Sequence, residues 1–319
     1  MNGQTTIKEF LAEWLERSIR NNDRKTTYAV YRGHVANHIN DALGDTKLCD
    51  LGKEQVQNLI RKLRDEKGLC GKSVRSIIQM LKTALNQAAV YGYILQNPCD
   101  KLRLPKDDSA VVEVFTTDEQ RLIETAIAQT DDSRDYGVLI MLYAGLRIGE
   151  MSGLKWKNYD PVKRTITVAT SLKRVLNYDE TMPKTSVVED EPKTAKSRRT
   201  IPVPDFLCGV LNKLRADSNS EYVVSMGNGK YVEPRTFHFI YKRLLKRAGV
   251  TYKRPHTNRH VFATRALEIG IDLKTVSELM GHTDCMITAN RYTHSLDEQK
   301  RQAANKLNMF FETNKSPLS

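Results

Sequence analysis

The chain has 319 residues, 40% of them hydrophobic, with 50 Lys and Arg against 38 Asp and Glu, a net charge of +12 and a pI near 9.4. That length holds two domains with cores of their own, and the composition excludes a disordered chain. The positive excess favours a polyanionic partner, nucleic acid being the commonest, over a merely basic surface. It is shared along the chain: residues 1–107 carry 18 basic against 12 acidic side chains and the rest 32 against 26, so each part is net +6.

Four helices fill the first hundred residues. Thr6-x-x-Glu9 forms a capping box ahead of Ile7, Phe10, Leu11, Trp14, Leu15 and Ile19, which fall on one face. A second helix covers Thr26 to Ile39, and a third runs from Glu54 to Glu66 and ends at Gly68. The fourth runs from Ser73 to Tyr91 with Val74, Ile77, Ile78, Leu81, Leu85 and Ala88 as its stripe. Short connections make these a small bundle. Asn97-Pro98 stops the fourth helix, and the polar, proline-marked Leu104-Pro105-Lys106-Asp107 reads as a linker. The expected division is a helical domain at 1–102, a linker at 103–114 and a second domain at 115–319, whose tail begins near residue 297.

The second domain opens with a capping box at Thr117-x-x-Gln120 and helices at 118–129 and 134–144. Thr165-Ile166-Thr167-Val168-Ala169-Thr170 alternates and is rich in β-branched residues, so it predicts a strand, as does Arg199-Thr200-Ile201-Pro202-Val203. Between them lies a long polar segment, 171–197. Helix returns beyond Pro234, through Phe237, Ile240, Tyr241, Leu244 and Leu245 to Gly249.

The five cysteines (Cys49, Cys70, Cys99, Cys208 and Cys285) are scattered, odd in number and without a C-x-x-C pair. This predicts a reducing cytoplasm and argues against both a disulfide framework and a zinc finger. No apolar run is long enough to cross a bilayer, and the first residues lack a signal-peptide core, so no membrane association is expected.

Chemistry concentrates late in the chain. Pro255 belongs at a helix start, and on that helix His256, Arg259 and His260 share a face. This is either a basic face in solvent or an anion site. A zinc pair from His256 and His260 lacks a third ligand. Arg147, in Gly145-Leu146-Arg147-Ile148-Gly149-Glu150, is bracketed by apolar residues and has Glu150 three positions on to orient it. A surface ion pair is the ordinary reading of such a pair. His282 follows Gly281 at the end of a short helix through Val276, Leu279 and Met280, and Tyr292 comes ten residues later. Most tyrosines pack in half-buried positions, but clustered cations would favour a phenolate nucleophile.

In order and combination, Arg…Lys…His-x-x-Arg…Gly-His…Tyr resembles the tyrosine recombinases, the lambda-type phage integrase family. The resemblance covers both halves. It implies a mainly α fold with a small antiparallel β-sheet in the catalytic domain (α+β), made of an N-terminal four-helix SAM-like DNA-binding bundle and a tyrosine-recombinase catalytic domain. It makes Arg147 and Arg259 the phosphate-binding arginines and Glu150 a supporting acid. His256 would be the acid–base partner of the nucleophile Tyr292, and His282 a hydrogen-bond donor to the phosphate. Pro192-Lys193-Thr194-Ala195-Lys196-Ser197 resembles the family's lysine hairpin. Lys193 is assigned as the acid that protonates the leaving 5′ oxygen, with Lys196 as its rival. Met280 stands where leucine is usual, a change of little volume.

The implied reaction is transesterification through a 3′-phosphotyrosyl bond on double-stranded DNA attachment sites, with no metal or other cofactor. It implies a homotetramer on DNA, with directionality or DNA-bending proteins as possible accessories and a nucleoid-associated location in the bacterial cytoplasm. An integrase of a phage or conjugative element is favoured over a Xer-type dimer resolvase. A topoisomerase-like relaxing enzyme, a non-catalytic DNA-binding protein and a metal-dependent nuclease are the rivals. DNA-reading residues are expected among Lys72, Arg75 and Lys82 of the first domain and Arg235, Lys242, Arg243, Lys246 and Arg247 of the second.

Overall fold

The computed structural model describes residues 1–20, 25–106, 113–177, 181, 183–190, 198–282, 304–305 and 307–309. Lys193, Lys196 and Tyr292 therefore lie outside the described residues, as does most of the tail from residue 297. The chain divides into two compact units, Met1–Val111 with Val175–Ser186, and Val112–Arg174 with Val187–Ser319.

The first unit is helical. Helix α1 (Ile7–Trp14) starts where expected: Thr6 Oγ1 accepts from the Glu9 N–H at 3.3 Å, and Glu9 Oε2 accepts from the Thr6 N–H at 2.9 Å. It continues as the wider π-helical Leu15–Arg20. Helix α2 (Lys25–His34) likewise passes through π-helical Val35–Ile39 into the short α3 (Asn40–Leu43). Helices α4 (Lys53–Asp65) and α5 (Gly71–Val90) complete the set. The predicted stripe residues Ile7, Leu11, Val74, Leu81 and Leu85 are sealed in one core, together with Ile39, Val56 and Leu63.

The second unit wraps its own core around α7 (Tyr136–Ala144), whose sequence is apolar on every side and whose Val138, Ile140 and Met141 are wholly buried. Helix α6 (Thr117–Ala128) precedes it. Its capping box is Thr116-x-x-Glu119 rather than Thr117-x-x-Gln120: Glu119 Oε2 accepts from the Thr116 N–H at 2.8 Å, and Thr116 Oγ1 from the Glu119 N–H at 3.1 Å. A carboxylate is the stronger acceptor for that backbone N–H, and it also receives Lys253 at 2.9 Å.

Helix α8 (Ile148–Ser152) follows. Strands β1 (Tyr159–Asp160), β2 (Thr165–Val168) and β5 (Arg199–Pro202) form an antiparallel sheet in the order β1-β2-β5, with Ile166 opposite Ile201 and Val168 opposite Arg199. The segment 171–197, read in the sequence only as long and polar, contains a second two-stranded sheet, β3 (Ser171–Leu176) with β4 (Thr185–Asp190). Its polar sequence reflects strands with little buried face, so the alternation that marks β2 is weak there. Helix α9 (Asp205–Ala216), for which no element was expected, buries Leu207 and Leu211. Helices α10 (Pro234–Arg247), α11 (His256–Glu268) and α12 (Leu273–Met280) follow, with α11 packed on α7 and α12 against both α11 and β5. No described helix is long and apolar enough to cross a membrane.

Candidate active site

Four segments of the second unit build the site: the α7–α8 junction, the first residue of β5, α11 and the end of α12. Helix α7 stops at Gly145, which takes φ +61°, a left-handed conformation natural to glycine. A Cβ there would stand 2.6 Å from the Phe262 ring of α11. The close approach brings the Gly145 carbonyl to Arg259 Nη1 at 2.6 Å.

Arg147 is the N-cap of α8. Its backbone N–H donates to Glu150 Oε2 at 2.9 Å and its Nη1 to Glu150 Oε1 at 2.7 Å. The acid thus holds Arg147 through the side-chain pair that the three-residue spacing allows and also through the main chain. Gly149 lets this turn press on β3, since a Cβ would meet the Leu172 carbonyl at 2.6 Å. Arg147 keeps 40% of its side chain exposed, whereas Glu150 is buried.

A third arginine, missed in the sequence, completes the pair. Arg199 Nη1 and Nη2 donate to Glu150 Oε1 and Oε2 at 3.2 and 2.9 Å. Burial pushes the Glu150 carboxyl up, but the Arg199 hydrogen bonds and charge, with the charges of Arg147 and Arg259, outweigh it and hold the pKa at about 2. Glu150 is therefore ionised at neutral pH. Three guanidinium groups around one carboxylate leave two positive charges in excess, an environment suited to an anion. The signal for Arg199 was the strand itself: alternation in Arg199-Thr200-Ile201-Pro202 puts Arg199 on the same inward face as Ile201.

Helix α11 begins after Pro255 and carries His256 exposed, with Arg259 and His260 buried. The His256 and His260 rings meet edge to face, centroids 4.7 Å apart. Arg259 is only 1% exposed. Its Nη2 donates to the Met280 carbonyl. Helix α12 is capped by Asp272, which accepts from the Thr275 N–H at 2.9 Å, and ends in a Schellman turn. In that turn Gly281 takes φ +61°, its N–H donates to the Glu278 carbonyl at 2.9 Å, and the His282 N–H donates to the Ser277 carbonyl at 3.0 Å.

The helix end leaves carbonyls in need of donors, and three successive ones find arginines. Leu279 O accepts from Arg199 Nε at 2.6 Å, Met280 O from Arg259, and Gly281 O from Arg147 Nη2 at a long 3.4 Å. The structure thus gathers Arg147, Glu150, Arg259 and the turn that carries His282, with His256 one helical turn before Arg259.

The expected DNA-reading residues divide by their surroundings. Among the described residues, Lys72 on α5 and Arg235 and Lys242 on α10 are exposed without a carboxylate partner. Arg75 donates to the Pro105 carbonyl at 2.7 Å, and Lys82 pairs with Asp100 at 2.7 Å. Arg243 pairs with Asp132, and Arg247 with the buried Asp135 at 2.6 Å.

Comparison with known proteins matches residues 114–299 to the phage integrase family and residues 6–64 to the N-terminal SAM-like domain of phage integrases. A tyrosine recombinase XerC-like protein of Caldanaerobacter subterraneus subsp. tengcongensis is 33% identical, over 96% of this chain and 83% of its own length. An integrase of Saccharopolyspora erythraea is 25% identical, over 96% and 82%. In fold, the chain is similar to the Tn1549 transposon integrase solved with a circular-intermediate DNA, with a TM-score of 0.81, 22% identity and coverage of 95% of this chain and 99% of that one. A lambda integrase dimer solved on a core site gives a TM-score of 0.68 at 17% identity, covering 90% and 95%. The family matches span both units, and the chain belongs to the phage integrase family and is a tyrosine recombinase.

Proposed function

We propose that this recombinase integrates and excises a mobile element, by cutting and rejoining duplex attachment sites through a 3′-phosphotyrosyl intermediate. The observation that carries the reading is the convergence of Arg147 and Arg259 on the end of α12, beside an ionised Glu150. In this reading Tyr292 attacks the scissile phosphorus, the P–O5′ bond breaks, and the 5′ oxygen takes a proton from Lys193, with Lys196 the alternative. Arg147 and Arg259 stabilise the charge on the non-bridging oxygens, the electrostatic contribution that dominates such reactions. His282 donates a hydrogen bond to one of them, and His256 takes the phenolic proton. A 5′-hydroxyl of a second duplex then attacks the phosphotyrosine and releases Tyr292, so no bond energy passes to water. Complete exchange needs four such cuts, hence a homotetramer on two duplexes. The lambda integrase solved as a tetramer on a Holliday junction, similar in fold, supports that assembly.

The likeness in fold to the Tn1549 transposon integrase supports the mobile-element role. A Xer-type resolvase is the second reading, favoured by the 33% identity to the XerC-like protein. Sequencing the junctions formed in a host that expresses the protein separates the two. Precise excision of a resident element is expected. Exchange confined to a chromosomal dimer-resolution site contradicts the integrase role.

A further inference from the structure

Arg199 has no place in the recombinase signature, yet it holds both Glu150 and the end of α12. Its side chain is buried, and its Nε, Nη1 and Nη2 all face protein acceptors: the Leu279 carbonyl and both oxygens of Glu150. It acts on the two groups it holds.

The first is Glu150. Each carboxylate oxygen is shared: Oε1 receives Arg147 Nη1 and Arg199 Nη1, and Oε2 receives the Arg147 N–H and Arg199 Nη2. A carboxylate facing one arginine tends to take it in a two-pronged pair. Here Arg199 occupies one prong of each oxygen, so Glu150 grips the Arg147 guanidinium through Nη1 alone. Among the described residues Arg147 Nη2 has only its long contact to Gly281 O, on a side chain 40% exposed. The second group is the α12 turn. Arg199 Nε holds Leu279 O, and a Cβ on Gly281 would meet Arg199 Nη1 at 3.0 Å and Cδ at 3.1 Å, so the guanidinium lies directly under the residue before His282.

We infer that Arg199 is a positioning residue of the recombination site, dividing the Glu150 carboxylate so that Arg147 stays available to the phosphate while fixing the turn that presents His282. This inference rests on the recombinase reading and adds a residue to it. The charged groups that bear on Glu150 are Arg147 at the start of its own helix, Arg199 from β5 and Arg259 from α11. Without Arg199 a buried Glu150 keeps two of these and gains protons more readily.

The test uses the full-length protein on a nicked suicide duplex, under single turnover with DNA in excess, for wild type, Arg199→Ala, Arg199→Lys and Arg199→Ala/Glu150→Gln. The expected result for Arg199→Ala is DNA affinity within about threefold of wild type and a cleavage rate about 10- to 100-fold lower. That residual rate should climb with pH as Glu150 ionises, in a range where the wild type shows no such step. Replacing Glu150 by Gln in the same chain should abolish the climb. Arg199→Lys, which keeps the charge but gathers its donors on one nitrogen and loses the fork that spans Leu279 O and both Glu150 oxygens, should cleave at an intermediate rate and guards against an alanine variant that does not fold. A melting temperature lowered in both variants, with an unchanged cleavage rate per bound enzyme and an unchanged pH profile, assigns Arg199 to the scaffold alone and overturns the inference. A wild-type protein that binds the duplex but forms no adduct overturns the recombinase reading, and this one with it.

Discussion

Glu150 is a buried acid whose charge three arginines maintain, and its titration links the site to stability. Its folded pKa of about 2 lies below the ordinary carboxylate value, so it contributes stability that is fully present above the unfolded pKa and is lost as pH falls through the folded one. The gap between Glu150→Gln and wild type in urea denaturation should therefore be constant from pH 7 to about 5 and shrink between about 4 and 2. A gap that closes already at pH 6 contradicts the assigned ion pairs.

Arg147 and Arg259 should separate in their side effects. Arg147 is partly exposed, so Arg147→Ala should lower cleavage by about 10²- to 10³-fold with little change in melting temperature. Arg259 is buried and holds the Gly145 and Met280 carbonyls, so Arg259→Ala should lose cleavage and also melt several degrees lower. Thermal melts beside suicide-substrate assays check both. The Arg147–Glu150 pair was legible because three-residue spacing at a helix start is local. Arg199 was not, because its partners are 49 and 80 residues away and only the folded chain brings them together.

At the scale of elements, two left-handed glycines set the site. Gly145 ends α7 against the Phe262 ring, and Gly281 ends α12 against the Arg199 side chain. Gly145→Ala combines the left-handed penalty, about 1–2 kcal/mol, with a clash against an aromatic ring in the core. Gly281→Ala carries the same penalty with a milder contact. Gly145→Ala should therefore melt lower, and differential scanning calorimetry measures the order. The reverse order contradicts the packing described. Helices with one apolar face, α1, α4, α5 and α10, were readable because burial follows the 3.6-residue period. The α6 capping box fell one residue earlier than expected because two adjacent threonines each precede an acceptor by three, and only the folded chain shows that Glu119, which Lys253 also binds, is the one used. The hairpin β3–β4 escaped because neither strand shows a clear alternation of apolar residues.

For the whole molecule, a net charge of +12 makes DNA affinity depend steeply on salt. Lys72 and Lys242 are exposed and without carboxylate partners among the described residues, so replacing either by Ala should flatten the plot of log affinity against log salt by about one unit of slope. Unchanged slopes in electrophoretic mobility shifts across 50–200 mM salt remove α5 and α10 from the phosphate-contacting surface. The proline-marked linker and the even spread of charge are what suggest a two-part organisation in the sequence. The meeting of Arg147, Arg199 and Arg259 at one helix end was not readable there, since no local pattern encodes it. The most direct measurement incubates the protein with a nicked suicide duplex in EDTA and separates the products under denaturing conditions. The account predicts a covalent protein–DNA adduct from the wild type that Tyr292→Phe abolishes without loss of DNA binding. Bound DNA without an adduct, or an adduct that survives Tyr292→Phe, would contradict it.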